Sequence, residues 1–475
     1  MLFNKKYKKL CAIILASSHF ANSLMACTVF PRNVLNEEGQ ITNVVVGRTY
    51  DLGNILFNNI AFGAKDERNI SDVNFYSIDN DKVAKWKNIH QFIGKTTTGN
   101  NTFIVDGINE AGLYVGYLNL PNVTEYPEYN TDDARPALSI FNVINYLLGM
   151  AASVDESLNL LKNNVQIVNS AFFVGVGEIG VFCSGSLHIA LKDKTGNNAV
   201  IEFLKGKVVY HERTQDTVIE GIEKKGITVL TNSPDYDFQV KNFQDTVKKY
   251  NFQPKNNHNY KVDGLYMNGS GLVGLPGDKT PPSRFALAQM FLSFLPTATN
   301  VNDAKFIANS ILGHICVPLG TNPDPTLWVS MCDLGNAQYF YKNLVHEAFF
   351  GKYEITEDCL NTQWNTISVK DVTPELAKKN GWVTGPVTRT WFNVKSITIN
   401  DKGTGADTSY ESSFFDCSVK KDISELLSKL FDEKNIVNRQ FLQNMGLKDI
   451  KNSADNNDMQ QIEQKQTVQS SCNIF

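Results

Sequence analysis

Cys27-Thr28-Val29-Phe30 and Asn43-Val44-Val45-Val46-Gly47-Arg48 are two β-rich runs, and the polar Asn36-Glu37-Glu38-Gly39 between them reads as a turn. A hairpin centred between Glu37 and Glu38 places residue 27 opposite residue 48 and leaves Asp51 close by. That register gathers a thiol, a guanidinium and a carboxylate at one end of a sheet.

Upstream of this hairpin, residues 1–26 have the order of an export leader. Basic Lys5 to Lys9 come first, then the apolar run 10–16, then small residues. The apolar run is too short to span a bilayer, and no later segment approaches about 20 continuous apolar residues. No transmembrane segment is expected, and the protein is read as exported, either periplasmic or secreted. Ala21-Asn22-Ser23 fits the small-x-small cleavage rule and leaves a short propeptide, 24–26, ahead of Cys27. Cutting after Ala26 makes Cys27 the first residue directly. Leu24-Met25-Ala26-Cys27 also resembles a lipobox, in which case Cys27 carries lipid on its sulfur and its amine and serves as an anchor. Lipidation and catalysis by the same two atoms exclude one another.

A cysteine at a mature N-terminus is a compact catalytic unit. Its thiol, with an ordinary pKa of about 8.5, and its α-amine, at about 7.7–8.0, both titrate near neutrality. The amine can accept and return protons on the residue that attacks. A nearby arginine favours the thiolate and a carboxylate holds the amine, which makes Arg48 and Asp51 candidates for those roles.

The 475 residues are 42% hydrophobic, 20% charged and 11% aromatic, which excludes a disordered polymer, a collagen and a coiled coil. The formal charge is −4. Without Lys5, Lys6, Lys8 and Lys9 it becomes −8, from 41 basic and 49 acidic side chains. No basic block offers a footprint for nucleic acid or an anionic membrane. Beyond Cys11 in the leader stand seven cysteines, an odd number for an oxidising compartment, and the six after Cys27 have spacings that define no pairing. No CxxC occurs and the seven histidines are scattered, so neither a structural metal nor a cofactor is expected.

Strands then alternate with a few helices. Hairpins are expected from 102–105 to 113–119 around Asn109-Glu110-Ala111-Gly112, and from 187–191 to 199–203 around Asp193-Lys194-Thr195-Gly196. Helical periodicity covers 137–150, 154–161, 283–294 and 303–312. Sheets covered by helices imply an α+β fold. After about Phe350 the texture changes: 400–413 is polar and Gly-containing, 422–433 reads as an amphipathic helix, and the tail 451–475 reads as disordered. The expected division is therefore a leader 1–26, a catalytic domain 27–350 and a C-terminal extension 351–475.

The motifs, taken in order, resemble those of the choloylglycine hydrolases, the linear amide C–N hydrolases that include penicillin V acylases and bile salt hydrolases. Cys27-Thr28 is similar to the family's nucleophile, and Gly47-Arg48-Thr49-Tyr50-Asp51 to its GRxxD segment. Asp106-Gly107-Ile108-Asn109-Glu110-Ala111-Gly112-Leu113 resembles its DGxNExGL turn, followed by Leu118-Asn119-Leu120-Pro121. Leu230-Thr231-Asn232-Ser233-Pro234 resembles its LTNSP element. Gly271-Leu272-Val273-Gly274-Leu275-Pro276-Gly277-Asp278 then leads to Ser283-Arg284-Phe285, and Trp328 to Tyr341 resembles its last core strands.

The resemblance implies a four-layer αββα N-terminal nucleophile hydrolase fold with a C-terminal extension. It implies hydrolysis of N-acyl amides with an apolar acyl part: conjugated bile salts, phenoxyacetyl penicillins, N-acyl homoserine lactones or related lipids. It makes Cys27 the nucleophile, places Asn232 and Asn119 at the oxyanion hole, and matches Arg284 to the family's remaining active-site arginine. It also implies a homo-tetramer. Two departures touch the pocket: Leu52 stands where several members carry Trp, and Asn119 where Gram-positive penicillin V acylases tend to have Tyr. The GxGxxG match at 269–274 is a decoy, because Pro276, Pro281 and Pro282 bar the helix that a dinucleotide site needs at once. Two other readings stay open, a lipoprotein anchored through Cys27 with a binding role, and an inactive relative acting through its extension.

Overall fold

In the computed structural model, residues 26–51, 59–73, 78–96, 103–170, 172–176, 179–183, 185–212, 228–250, 261–262, 265–266, 274–321, 325–349, 352–355, 357–360, 363–388, 397–400 and 409–412 are described. Residues 1–25, Leu52, residues 269–273 and everything after residue 412, with the expected helix 422–433 and tail 451–475, lie outside them.

The chain forms two compact units, one of residues 1–74 and 78–389, the other of 75–77 and 390–474. In the second, the described part is an antiparallel pair, Ile397–Asn400 with Ser409–Ser412. The first unit is built on two sheets. One has five strands: β1 (Ala26–Leu35), β2 (Ile41–Asp51), β10 (Thr326–Asp333), β11 (Gln338–Asn343) and β12 (Asn365–Ser368), hydrogen-bonded in that order. The other has eight. Their sequence positions are β3 (Asn59–Gly63), β4 (Phe92–Thr96), β5 (Ile104–Asn109), β6 (Leu113–Asn119), β7 (Leu187–Asp193), β8 (Asn198–Leu204), β9 (Lys207–Glu212) and β13 (Val383–Thr384). Across the sheet they run β9-β8-β7-β6-β5-β4-β3-β13.

Helices α1 (Val143–Met150) and α2 (Val154–Asn163) cover the eight-stranded sheet, and α4 (Pro281–Phe294) and α5 (Val301–Ile315) cover the five-stranded one. A further helix, α3 (Tyr236–Tyr250), packs on α4. The result is the expected α-β-β-α order. Every described residue of β5 and β6 is buried, because these strands meet a helix on one face and the partner sheet on the other. Gly112 at φ +93° and Gly196 at φ +90° turn the two central hairpins where they were expected.

The first hairpin differs from expectation in register. Cys27 pairs with Tyr50, and Arg48 pairs with Val29. The turn is centred one residue later than its polar composition suggested, and each partner moves by two positions. Because side chains alternate with period two, an even slip leaves Cys27 and Arg48 on one face, now as diagonal neighbours. Asp51 falls on the opposite face of the same sheet.

Gly47 in this hairpin is required for space. A Cβ there meets Phe30 Cζ at 2.5 Å, and Phe30 is fully buried. Gly47→Ala is expected to cost about 1–3 kcal/mol through overpacking, read as a lower denaturant midpoint with an unchanged slope.

Two other expectations are corrected. Residues 137–142 are not α-helix: Ala137–Ser139 pairs in parallel with Gln166–Val168 and Ile140–Asn142 is a 3₁₀ turn, so the helix starts at Val143. The first unit also does not end at 350. After β12 closes the edge of the five-stranded sheet, the helix Pro374–Lys379 leads to β13, which pairs in parallel with β3 at the edge of the other sheet. Val387 then exchanges backbone and side-chain hydrogen bonds with Asn69 and Ile70. Residues 365–387 thus bind the free edges of both sheets, a function that their mixed composition does not reveal.

Among the described residues, no helix is long and apolar enough to cross a membrane. Cys316 and Cys332 are free thiols.

Candidate active site

Cys27 stands on β1 with its side chain turned between the two sheets, 2% exposed. Opposite its backbone runs the stretch Leu230-Thr231-Asn232. Val29 and Leu230 exchange backbone hydrogen bonds of 2.8 and 2.9 Å as an antiparallel bridge. Continued by two residues, that pairing sets Asn232 against Cys27. The Cys27 backbone nitrogen accordingly donates to Asn232 Oδ1 at 2.5 Å.

Arg48 reaches the thiol from the diagonal position on β2, with Nη2 3.8 Å from Cys27 Sγ. Its guanidinium is locked from the other sheet. Nη1 donates to the Val105 carbonyl at 2.9 Å, Nη2 to the Tyr117 carbonyl at 2.6 Å, and Nε lies 3.9 Å from Asp106 Oδ2. Gly116 leaves the room: a Cβ there lies 2.8 Å from Arg48 Nη1 and 2.5 Å from the Tyr114 hydroxyl. Tyr50 and Trp328, stacked at 4.7 Å, sit beside the guanidinium.

Asp51 and Arg284 meet on the helix side of β1 and β2. Arg284, on α4, donates through Nη1 to the Cys27 carbonyl at 2.9 Å, to Thr28 Oγ1 and to Asp51 Oδ2 at 3.4 Å. Its Nη2 donates to Asn232 Oδ1 at 3.1 Å. One fully buried arginine therefore touches the backbone of the cysteine, the carboxylate and the amide. Asn232 Nδ2 donates to the Asn119 carbonyl at the end of β6, 2.7 Å away. An amide nitrogen has two hydrogens, so that bond leaves the second available.

The six sequence-chosen residues thus fall into one hydrogen-bonded cluster. Partners not chosen include Thr28, Asp106, Tyr50, Trp328 and Thr326, whose hydroxyl donates to Asp51 Oδ1 at 2.5 Å. Asp106 begins the quoted DGxNExGL segment, and its signal was a buried acidic residue inside an apolar strand. Asn109 of the same segment is structural. Its side chain accepts from the Ala111 and Leu113 N–H groups and donates to the Leu148 and Ala151 carbonyls.

Burial pushes the Cys27 thiol above its ordinary pKa, against the charge of Arg48. The arginine lowers the cost of a thiolate without making it the resting form, so the proton must leave as the sulfur attacks. Burial likewise raises Asp51, to about 6, against Arg284 and the hydroxyls of Thr326 and Thr49. A carboxyl raised from its ordinary 3.8 contributes stability below that value and loses it as pH rises through about 6. The anion that receives Arg284 and the two threonines forms over the same range. The expected result is a rising limb of kcat/KM near pH 6 that Asp51→Asn removes, checked by a pH–rate profile of both proteins.

Two sheets packed face to face between helical layers, with a buried cysteine at the start of the first strand, have the architecture of the N-terminal nucleophile hydrolases. The chain belongs to the linear amide C–N hydrolases of the choloylglycine hydrolase family, whose model matches residues 34–368. It is accordingly an amide hydrolase of the bile salt hydrolase and penicillin acylase type. A bile salt hydrolase/transferase of Clostridium perfringens is 31% identical over 247 residues, 50% of this chain and 68% of that protein. A penicillin V acylase of Pectobacterium atrosepticum is 27% identical over 269 residues, 52% of this chain and 60% of that protein. Among solved structures, a mutant conjugated bile acid hydrolase from Clostridium perfringens superposes with a TM-score of 0.54 at 21% identity, covering 73% of this chain and 93% of that one. The penicillin V acylase from Agrobacterium tumefaciens gives 0.50 at 23% identity, covering 67% and 84%. These two likenesses are of fold.

Proposed function

We propose that the protein is an exported amidohydrolase in which Cys27, freed as the first residue of the processed chain, is both nucleophile and, through its own amine, base. The observation that carries this reading is the Cys27 nitrogen, held by Asn232 Oδ1 at 2.5 Å. The sulfur of the same residue faces Arg48 at 3.8 Å. Removal of residues 1–26 turns that nitrogen from an amide, which is no base, into an amine.

The thiol proton passes to the amine as Sγ attacks the carbonyl carbon of the substrate amide. The oxyanion is met by the free Asn232 N–H, with Asn119 beside it anchoring that amide through its carbonyl, and Arg48 offsets charge on the sulfur. The C–N bond then breaks, the leaving amine takes the proton and a thioester remains. Water, deprotonated by the Cys27 amine, cleaves the thioester to the acid and restores the thiol. Arg284 and Asp51 keep the Cys27 backbone in register with Asn232.

For substrates we favour N-acyl amides with an apolar acyl part, conjugated bile salts and phenoxymethylpenicillin first, since the relatives carry those names. Intact mass and N-terminal sequencing of protein recovered from an exporting host test the reading. A chain beginning at Cys27 with a free amine is expected. A chain that begins elsewhere, or a Cys27 bearing lipid, removes the base and overturns it.

A further inference from the structure

Asn232 belongs to no strand or helix. It lies in the irregular stretch between the Leu230 bridge and the first residue of α3, Tyr236. The backbone bridge to Val29 holds one side of that stretch, and two buried side chains of the eight-stranded sheet hold the other. The pairing of Ile189 with Ile201 puts His188 on β7 directly opposite Glu202 on β8. His188 Nε2 lies 2.8 Å from the Thr231 carbonyl and Nδ1 lies 3.2 Å from Glu202 Oε1. A carbonyl only accepts, so Nε2 carries a proton.

Glu202 Oε1 also accepts the Tyr236 N–H at 3.0 Å, at a helix terminus where a carboxylate is favoured. Its Oε2 faces His211 Nε2 at 3.1 Å. One carboxylate therefore fixes the chain on both sides of Asn232, through His188 at Thr231 and directly at Tyr236. Burial alone raises the Glu202 carboxyl, but hydrogen bonds from the two histidines outweigh it and hold it down at about 2. Neither His188 nor Glu202 is hydrogen-bonded to Cys27, Arg48, Asp51 or Arg284, so the pair has no part in the chemistry described above. A buried hydrogen bond between polar side chains adds little net stability, which leaves geometry as the pair's use.

We propose that His188 and Glu202 are positioning residues that set the Asn232 amide against the scissile carbonyl. This rests on the reading that Asn232 stabilises the oxyanion. The test uses the processed full chain, with phenoxymethylpenicillin and a glycine-conjugated bile salt as probes. Glu202→Gln is expected to lower kcat by up to about 10²-fold, the scale of a misplaced catalytic group. KM stays unchanged. Placed in an Asn232→Ala background, the same substitution causes no further loss, because it acts through the missing amide.

Undiminished kcat in Glu202→Gln, or an equal loss in both backgrounds, overturns the clamp. If Asn232→Ala itself turns over normally, the oxyanion reading fails first and takes the clamp with it. Should Glu202→Gln not fold, the comparison passes to His188. His188→Gln keeps a neutral donor for the Thr231 carbonyl and retains more turnover than His188→Leu, and equal turnover in the two overturns the clamp.

Discussion

Cys27→Ala is expected to abolish amide turnover, with a loss on the order of 10⁶-fold, as for deletion of a nucleophile from other hydrolases. Cys27→Ser keeps the shape and the amine but offers a hydroxyl whose proton is far harder to remove, so it is expected to retain only a trace. The same logic isolates the nitrogen. A chain that begins at Ala26 has the thiol, Arg48 and Asn232 in place, yet the Cys27 nitrogen is an amide that donates to Asn232 Oδ1 and accepts nothing. With the thiol raised above its ordinary pKa by burial, no group then takes its proton. Side by side, chains starting at 26 and at 27 should differ in amine release by nearly as much as Cys27→Ala differs from the parent. Equal rates place the base elsewhere, and unaltered turnover in Cys27→Ala removes the nucleophile.

What the sequence disclosed, and what it withheld, follows from the range of each interaction. The strands around Cys27 and Arg48 were legible because β-branched runs and turn residues act locally. The register was misplaced because polar turn composition fixes the centre of a hairpin only to within a residue. The error was harmless to the site, since an even slip preserves the face. Asn232 and Arg284 came from motif order. Their contact with Cys27 depends on pairings across 205 and 257 positions, which no local pattern encodes. Asp106 was quoted and passed over for the opposite reason, since its neighbours describe a turn while its carboxylate works in the next layer. The edge-closing segment 365–387 was missed because a strand of two to four residues leaves little periodicity to read.

Arg48→Leu is the second large expected effect, and it separates stability from chemistry. The guanidinium is 1% exposed and its Nε lies 3.9 Å from the wholly buried Asp106, which also feels the charge of Lys95 and accepts from Ser330 at 3.1 Å and Tyr339 at 2.9 Å. Burial already raises Asp106 against the charge of Arg48. Deleting that charge leaves a buried carboxylate without its ion pair, a loss of about 3–5 kcal/mol. Asp106→Asn on top of Arg48→Leu removes the stranded charge while leaving the tyrosine and serine with a partner. The double variant is therefore expected to unfold at a higher denaturant concentration than Arg48→Leu alone, a non-additivity read in a double-mutant cycle. Its turnover should nevertheless stay as low as that of the single variant, because nothing then stands 3.8 Å from the sulfur to offset its charge. Arg48→Lys is not a rescue. A single ammonium cannot serve the Val105 and Tyr117 carbonyls, Asp106 and the thiol at once. Strictly additive stabilities make the pairing with Asp106 incidental, and recovered turnover in the double variant removes Arg48 from the chemistry.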